Sequence, residues 1–389
     1  MGKRKNGEGS WGKKTIKGVV YVYYRDSNGH YTYGKTDKEV NEKRTGIKEK
    51  RHVINTSKSM TLGDYMSAWL YNKKFKEIGI SLEPTTFDCY ESALTKRLYN
   101  HKIANLQLSA LTKEQIMLYL KDLSKTYSRG SISKTWQVIR MALTDDDFDL
   151  VDRVPEIKFE RVRVPNERNV AVKAKEHEFT SNEDMDALYN EALRKYSNGK
   201  YVYGSSARLL AFIMYSGLRV GEGIGLKWRD VDLKKGLITI NQSYAMTHER
   251  DENGNAIGWK YIEKAPKSES SNATIPVRER GLDILDLMDD ETPNHKSGDL
   301  IFLSSNGTPL TKRHILHTLR RMLEGAGIDK DYTVHDLRHG YGSILFQEGV
   351  DIMTISKLLR HKDIQTTANI YVTTTPETLQ QKLFQVDRV

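Results

Sequence analysis

The pattern of apolar and polar positions divides the chain into stretches of different period. Near the start, Val19-Val20-Tyr21-Val22-Tyr23-Tyr24 is a β-branched and aromatic run, and Tyr31-Thr32-Tyr33 is a second. The turn sequence Asp26-Ser27-Asn28-Gly29 separates them, so the pattern predicts a hairpin. A charged, helix-like stretch follows over 38–50. From 60 to 155 the period is helical. Leu62, Tyr65, Met66, Trp69 and Leu70 recur at helical spacing, and 85–99 reads as a helix begun near Pro84. Thr112-Lys113-Glu114-Gln115 is a capping box opening a helix through Leu123, and 131–143 reads as a fourth helix. Beyond 178 the pattern is mixed. Thr180-Ser181-Asn182-Glu183 caps a helix reaching to about Tyr196, and 205–216 forms the next. Strands are predicted over 237–244, 259–264 and 273–277. Asp251-Glu252-Asn253-Gly254-Asn255 turns the first pair, and 267–272 turns the second. From Gly281 the chain reads as mostly helical.

Between the second and third stretches, residues 156–178 read as a linker. Arg161, Arg163, Arg168, Lys173 and Lys175 alternate with Val and Ala there, and Pro165 prevents a helix. Such a segment is either a solvated tether or a basic strap along phosphates. The helical stretch likewise suits a unit that straddles a duplex, and equally a bundle with solvated charges.

Charge sharpens the picture. The chain of 389 residues, long enough for two or three domains, has 61 Lys and Arg against 51 Asp and Glu, a net charge of +10 that attracts polyanions. Residues 1–50 concentrate this surplus, with 13 basic against 6 acidic side chains. No apolar stretch follows Met1-Gly2-Lys3-Arg4-Lys5, so it is not a signal peptide, and Asn6 stands where a myristoylation signal needs Ser or Thr. No window approaches the roughly 18 apolar residues of a membrane span. Cys89 is the single cysteine, which excludes disulfides and cysteine-based zinc sites within one chain. A cytoplasmic protein is expected.

Three separated segments carry candidate chemistry. They are Ser216-Gly217-Leu218-Arg219-Val220-Gly221-Glu222, then His335-Asp336-Leu337-Arg338-His339, then Leu358-Leu359-Arg360-His361 with Tyr371 ten residues on. Attack on a phosphodiester spreads negative charge over its nonbridging oxygens, and two guanidiniums can clamp those oxygens with paired N–H donors. Arg219 and Arg338 are the candidates for that clamp. His335 and His361 can donate further hydrogen bonds, and His335 can accept the Tyr371 proton. A phenol with a pKa near 10 is a poor nucleophile at neutral pH, and a cationic pocket favours its phenolate. Glu222 is expected to orient Arg219 or His335 without touching substrate. Gly221, Gly223 and Gly225 superficially suggest a phosphate loop, but they follow a helix and read as junction glycines. His335 and His339 give His-x-x-x-His, which with His361 could suggest a metal site. No acidic motif completes it, so no metal is expected, and His339 reads as a packing residue.

Together these boxes resemble the tyrosine recombinase (phage integrase) family, whose members carry an Arg in a Gly-Leu-Arg-x-x-Glu box, a His-x-x-Arg box, a His or Trp, and a nucleophilic Tyr near the C-terminus. The resemblance implies that Arg219, His335, Arg338, His361 and Tyr371 are catalytic. Ala265-Pro266-Lys267-Ser268, just before Ala273-Thr274-Ile275-Pro276-Val277, resembles the segment holding the family's general acid. Lys267 is the first choice for that role, and Lys264 the alternative. The resemblance departs at Arg360, where the family usually has Gly, and at Asn272-Ala273, where it often has basic residues. Arg360 would add a phosphate contact or cap a helix C-terminus.

The fold implied is α+β and multidomain. A small three-stranded arm-type DNA-binding domain (1–55) precedes a helical core-type DNA-binding domain (60–155) and the linker (156–178). A mixed, mainly α catalytic domain with a small antiparallel sheet follows (179–389). The activity implied is that of a mobile-element integrase, which exchanges duplex DNA strands in a homotetramer through a 3′-phosphotyrosine and a Holliday junction, with no cofactor. An accessory DNA-bending protein or directionality factor is a further partner that the resemblance admits. The helical tail 376–384, with Leu379, Leu383 and Phe384, packs on its own domain or on a neighbouring protomer. Two other readings are a type IB topoisomerase, which would relax supercoils without a specific site, and a non-catalytic DNA-binding regulator.

Overall fold

The structure, a computed structural model, describes residues 10–16, 19–25, 31–40, 60–145, 147–148, 161–172, 181–264, 273–361 and 363–371. The turn at 26–29, most of the charged stretch 38–50, the segment holding Lys267, and the tail 376–384 lie outside these residues. The chain divides into two compact units, Met1–Ala174 with Glu252–Asn255, and Lys175–Asp251 with Ala256–Val389.

The first unit begins with an antiparallel meander of β1 (Ser10–Ile16), β2 (Val19–Arg25) and β3 (Tyr31–Gly34). β1 is too polar to stand out in the sequence. Its register sets Trp11 opposite Tyr24, where the two rings meet edge-on at 5.3 Å. Edge-on contacts also join Tyr23 to Tyr31, so cross-strand aromatic pairs hold the sheet. Four helices follow: α1 (Leu62–Ala68), α2 (Pro84–Arg97), α3 (Lys113–Leu123) and α4 (Arg129–Leu143). α1 runs on into a π turn over Trp69–Lys73. Thr61 and Thr112 cap α1 and α3 in reciprocal boxes with Asp64 and Gln115. Leu62, Met66, Trp69, Phe87, Leu94, Leu120 and Ile132 bury their side chains together. Val162 and Val170 join this core, so that part of the linker runs along the first unit and is not a fully solvated tether.

The second unit contains α5 (Asn182–Ala192), α6 (Ser205–Ser216) and α7 (Val220–Gly225). α5 stops short of Tyr196 because the chain turns at Gly199 and bridges Lys195 to Tyr201. α6 is buried on every side, with Leu209, Leu210, Phe212, Ile213 and Met214 all enclosed. Each such side chain contributes about 1.5–3 kcal/mol, against about 1 kcal/mol for a net hydrogen bond. Apolar packing therefore fixes where α6 lies in the core.

The strands differ from expectation. The single strand read over 237–244 is two: β5 (Leu237–Ile240) and β6 (Ser243–Arg250). β5 lies between β4 (Val231–Asp232) and β8 (Ala273–Pro276), while β6 pairs with β7 (Ala256–Lys264) in a separate sheet. The break falls at Asn241 and Gln242. Asn241 Nδ2 donates to Asp230 Oδ1 at 2.8 Å, and Gln242 Nε2 donates to the Gly225 carbonyl at 2.5 Å. These side-chain bonds take the chain out of one ladder and into the next. The residues 259–264 and 273–277 therefore do not form a hairpin, and β8 answers to β5 instead.

The remaining helices are α8 (Glu279–Glu291), α9 (Lys312–Gly325), α10 (Val334–Gln347), α11 (Ile352–Leu359) and α12 (Ile364–Tyr371). Among the described residues no helix is long and apolar enough to cross a membrane.

Candidate active site

The site is built where three helix ends meet. α6 terminates at Gly217, which takes a left-handed conformation (φ 64°) that favours glycine. Two residues on, Arg219 is the N-cap of α7, and Glu222 in the first turn reaches back to its backbone N–H at 2.8 Å. The three glycines read as a junction in fact lie inside α7. Gly221 and Gly225 let this helix sit directly on β6, since a Cβ on Gly221 would come within 2.6 Å of Ser243 Oγ. Thr333 and Asp336 cap α10 reciprocally, which fixes His335 in the exposed first turn and Arg338 one turn later. α11 ends at Arg360, in left-handed conformation (φ 53°), and His361 follows.

Glu222 is the hub. Its Oε1 accepts from Arg219 Nη1 at 2.7 Å, and its Oε2 accepts from Arg360 Nη2 at 2.6 Å. Arg338 Nη1 lies 3.9 Å from the same Oε2. Burial pushes the Glu222 carboxyl up, but Arg360, Arg219 and the hydrogen bonds from Arg219 outweigh it and hold the group below the ordinary carboxylate range. Of the two partners expected for Glu222, Arg219 is the one it holds.

The two clamp candidates differ in exposure. The Arg219 side chain is 39% exposed, and its Nη2 donates to the Arg360 carbonyl at 3.1 Å. Arg338 is 1% exposed; its Nη1 donates to the Gly217 carbonyl at 2.7 Å and its Nη2 to the Leu359 carbonyl. Arg338 thus ties the ends of α6 and α11 to α10. His361 Nδ1 lies 2.8 Å from Thr367 Oγ1 of α12. Burial, then Arg338, Arg219, His335 and Arg360, push its pKa down to about 4, so the ring is neutral at neutral pH. His339 is buried and meets the His335 ring edge-on at 4.3 Å, a packing role.

The structure therefore brings Arg219, Glu222, Arg338 and His361 together, with His335 in the turn before Arg338. Tyr371 is the last residue of α12, and its side chain lies outside what is described. Lys267 lies outside the described residues, and Lys264 closes β7 opposite Ser243.

Two features escaped the sequence reading. Arg360 is buried rather than at the surface. It does end α11, but its guanidinium is turned inward onto Glu222. The second is α9, which buries Ile315, Leu319 and Met322 and exposes Lys312, Arg313, His314, His317 and Arg320. Arg313, His317 and Arg320 share one face at i, i+4 and i+7, a signal visible in the sequence.

Residues 178–378 match the model of the phage integrase family. The chain is similar to a tyrosine recombinase XerC-like protein of Caldanaerobacter subterraneus subsp. tengcongensis, at 28% identity over 384 residues, covering 92% of each. Its fold is similar to that of the Tn1549 transposon integrase in complex with transposon right end DNA, with a TM-score of 0.63 at 17% identity, covering 84% of this chain and 100% of that one. It is also similar to lambda integrase, solved as a tetramer bound to a Holliday junction, with a TM-score of 0.54 at 15% identity, covering 95% of this chain and 96% of that one.

Proposed function

Because this chain belongs to the phage integrase family, we propose that it cuts and rejoins duplex DNA through a covalent bond between Tyr371 and a 3′ phosphate. It is a tyrosine recombinase, a DNA strand transferase that carries out site-specific recombination for a mobile element. The observation that carries the residue-level reading is the convergence of Arg219 and Arg338, from distant segments, on Glu222 at 2.7 and 3.9 Å.

In this reading the Tyr371 phenol oxygen attacks phosphorus and its proton passes toward His335. Arg219 and Arg338 balance the charge that builds on the nonbridging oxygens. In the tautomer whose Nδ1 accepts from the Thr367 hydroxyl, His361 has an Nε2 proton to donate to the same phosphate. The bond from phosphorus to the 5′ oxygen breaks, and Lys267 supplies the proton that this oxygen takes. A 5′ hydroxyl of the partner strand then attacks the phosphotyrosine, restores the phosphodiester and returns the proton to Tyr371. The energy of one phosphodiester is carried through to the next, so the exchange draws on no nucleotide cofactor.

Residues 1–55 serve as the arm-type DNA-binding domain, 60–155 as the core-type domain, 156–178 as the linker and 179–389 as the catalytic domain. The exposed basic face of α9 suits phosphate contacts. Lambda integrase forms a tetramer on a Holliday junction, and we assign this chain the same assembly, acting in the cytoplasm. An accessory bending protein or directionality factor completes the expected partners. Tyr371→Phe tests the chemistry: covalent attachment to a nicked duplex should vanish while specific binding stays. A DNA-joined band surviving in that variant on a denaturing gel rules out Tyr371 as the nucleophile.

A further inference from the structure

We propose that Arg360 is a positioning residue that occupies the second oxygen of Glu222 and so keeps that carboxylate from drawing Arg338 away from the scissile phosphate. This rests on the recombinase reading above. Arg360 is the one non-glycine residue with positive φ among the described residues. A long side chain is disfavoured in that conformation, which glycine would take freely, and such strain persists where the surroundings compensate it. The compensation is visible. Arg360 is 2% exposed, its Nη2 meets Glu222 Oε2 at 2.6 Å, and its Nη1 donates to the Leu358 carbonyl at 2.9 Å. Its own carbonyl accepts from Arg219 Nη2 at 3.1 Å. Buried in this way, the guanidinium is turned from solvent and acts through Glu222.

The charged groups facing Glu222 are Arg219 at the start of its own helix, Arg338 on α10 and Arg360 after α11. With Arg360 filling Oε2, Arg338 stays at 3.9 Å and is not drawn into a tight pair. Without Arg360, the freed oxygen would compete with the phosphate for Arg338, since attraction at such distances is strong away from water.

The test uses the full chain and a nicked duplex that the chain itself enriches from a randomised pool, so that cleavage is trapped as an adduct. Wild type, R360G, E222Q and the double variant are compared for adduct rate at saturating protein, for duplex affinity and for rate against pH. R360G should slow adduct formation at least about tenfold while changing affinity less than about threefold. Acid should narrow the gap between R360G and wild type, because losing its largest counter-charge raises the Glu222 pKa and the protonated carboxyl no longer competes for Arg338. In the E222Q background there is no carboxylate to occupy, and R360G should change the rate less than about twofold. That comparison also serves if R360G alone does not fold, since the double variant leaves no unpaired charge at Glu222. A wild-type rate in R360G, or equal slowing in both backgrounds, overturns the proposal and leaves the recombinase reading standing. Absence of any adduct from wild type overturns the recombinase reading, and this proposal with it.

Discussion

The carbonyl oxygen of Gly217 accepts a 2.7 Å hydrogen bond from Arg338, 121 positions later in the chain. The bond depends on the left-handed turn at Gly217, where a Cβ would also fall 2.6 Å from the Tyr341 ring and 3.2 Å from Leu359. Gly217→Ala should therefore destabilise the protein by about 2 kcal/mol or more. It should also lower cleavage by the molecules that remain folded. Thermal unfolding with single-turnover cleavage measures both, and an alanine that is neutral in each would show that the turn does not hold Arg338.

Acid should weaken the site in a definite window. The folded pKa of His361, about 4, lies below the ordinary value of 6.5. On acidification the unfolded chain therefore takes up a proton before the folded one does. Stability from this residue is constant above about pH 6.5 and declines as the pH falls from about 6.5 toward about 4. His361→Gln should flatten that part of the curve of melting temperature against pH. An unchanged acid slope in the variant would assign the loss to other groups.

The basic face of α9 has a thermodynamic signature. Arg313→Ala and Arg320→Ala should weaken duplex binding alike for specific and unrelated sequences. Each should reduce the slope of log affinity against log salt by about 0.9 for every phosphate that the arginine neutralises. Cleavage within the bound complex should stay near the wild-type rate. Salt slopes equal to wild type would place this face away from the duplex.

The general acid can be found by its leaving group. Lys267→Ala should slow cleavage by about 10²–10⁴-fold. A substrate with a 5′-thiolate leaving group, which needs no proton, should restore the rate. Rescue of Lys264→Ala in place of Lys267→Ala would move the role to the end of β7.

What could be read from the sequence was set by local pattern. The capping box at Thr112 and the limits of α6 are nearest-neighbour effects, and both stand as expected. The boxes around Arg219, Arg338 and His361 are short because each sits at one helix end, so a few adjacent residues carry it. The split of 237–244 was not legible. Both halves are rich in β-forming residues, and what separates them is Asn241 bonding to Asp230 and Gln242 bonding to Gly225, partners named only by the fold. Arg360 was hidden for a similar reason. Its place after a helix reads as a surface cap, and only the approach of α7 turns it into the partner of a buried carboxylate.

The division of the strands has a mechanical meaning. Residues 265–272, which include Lys267, leave from β7 in one sheet and arrive at β8 in another. Among the described residues no ladder joins β7 to β8, so residues 265–272 connect two separately hydrogen-bonded sheets. The first of these, the β6–β7 ribbon, rests on the helix that Arg219 caps, through Gly221 and Gly225, so a displacement of the ribbon would be felt at the arginine end of the site.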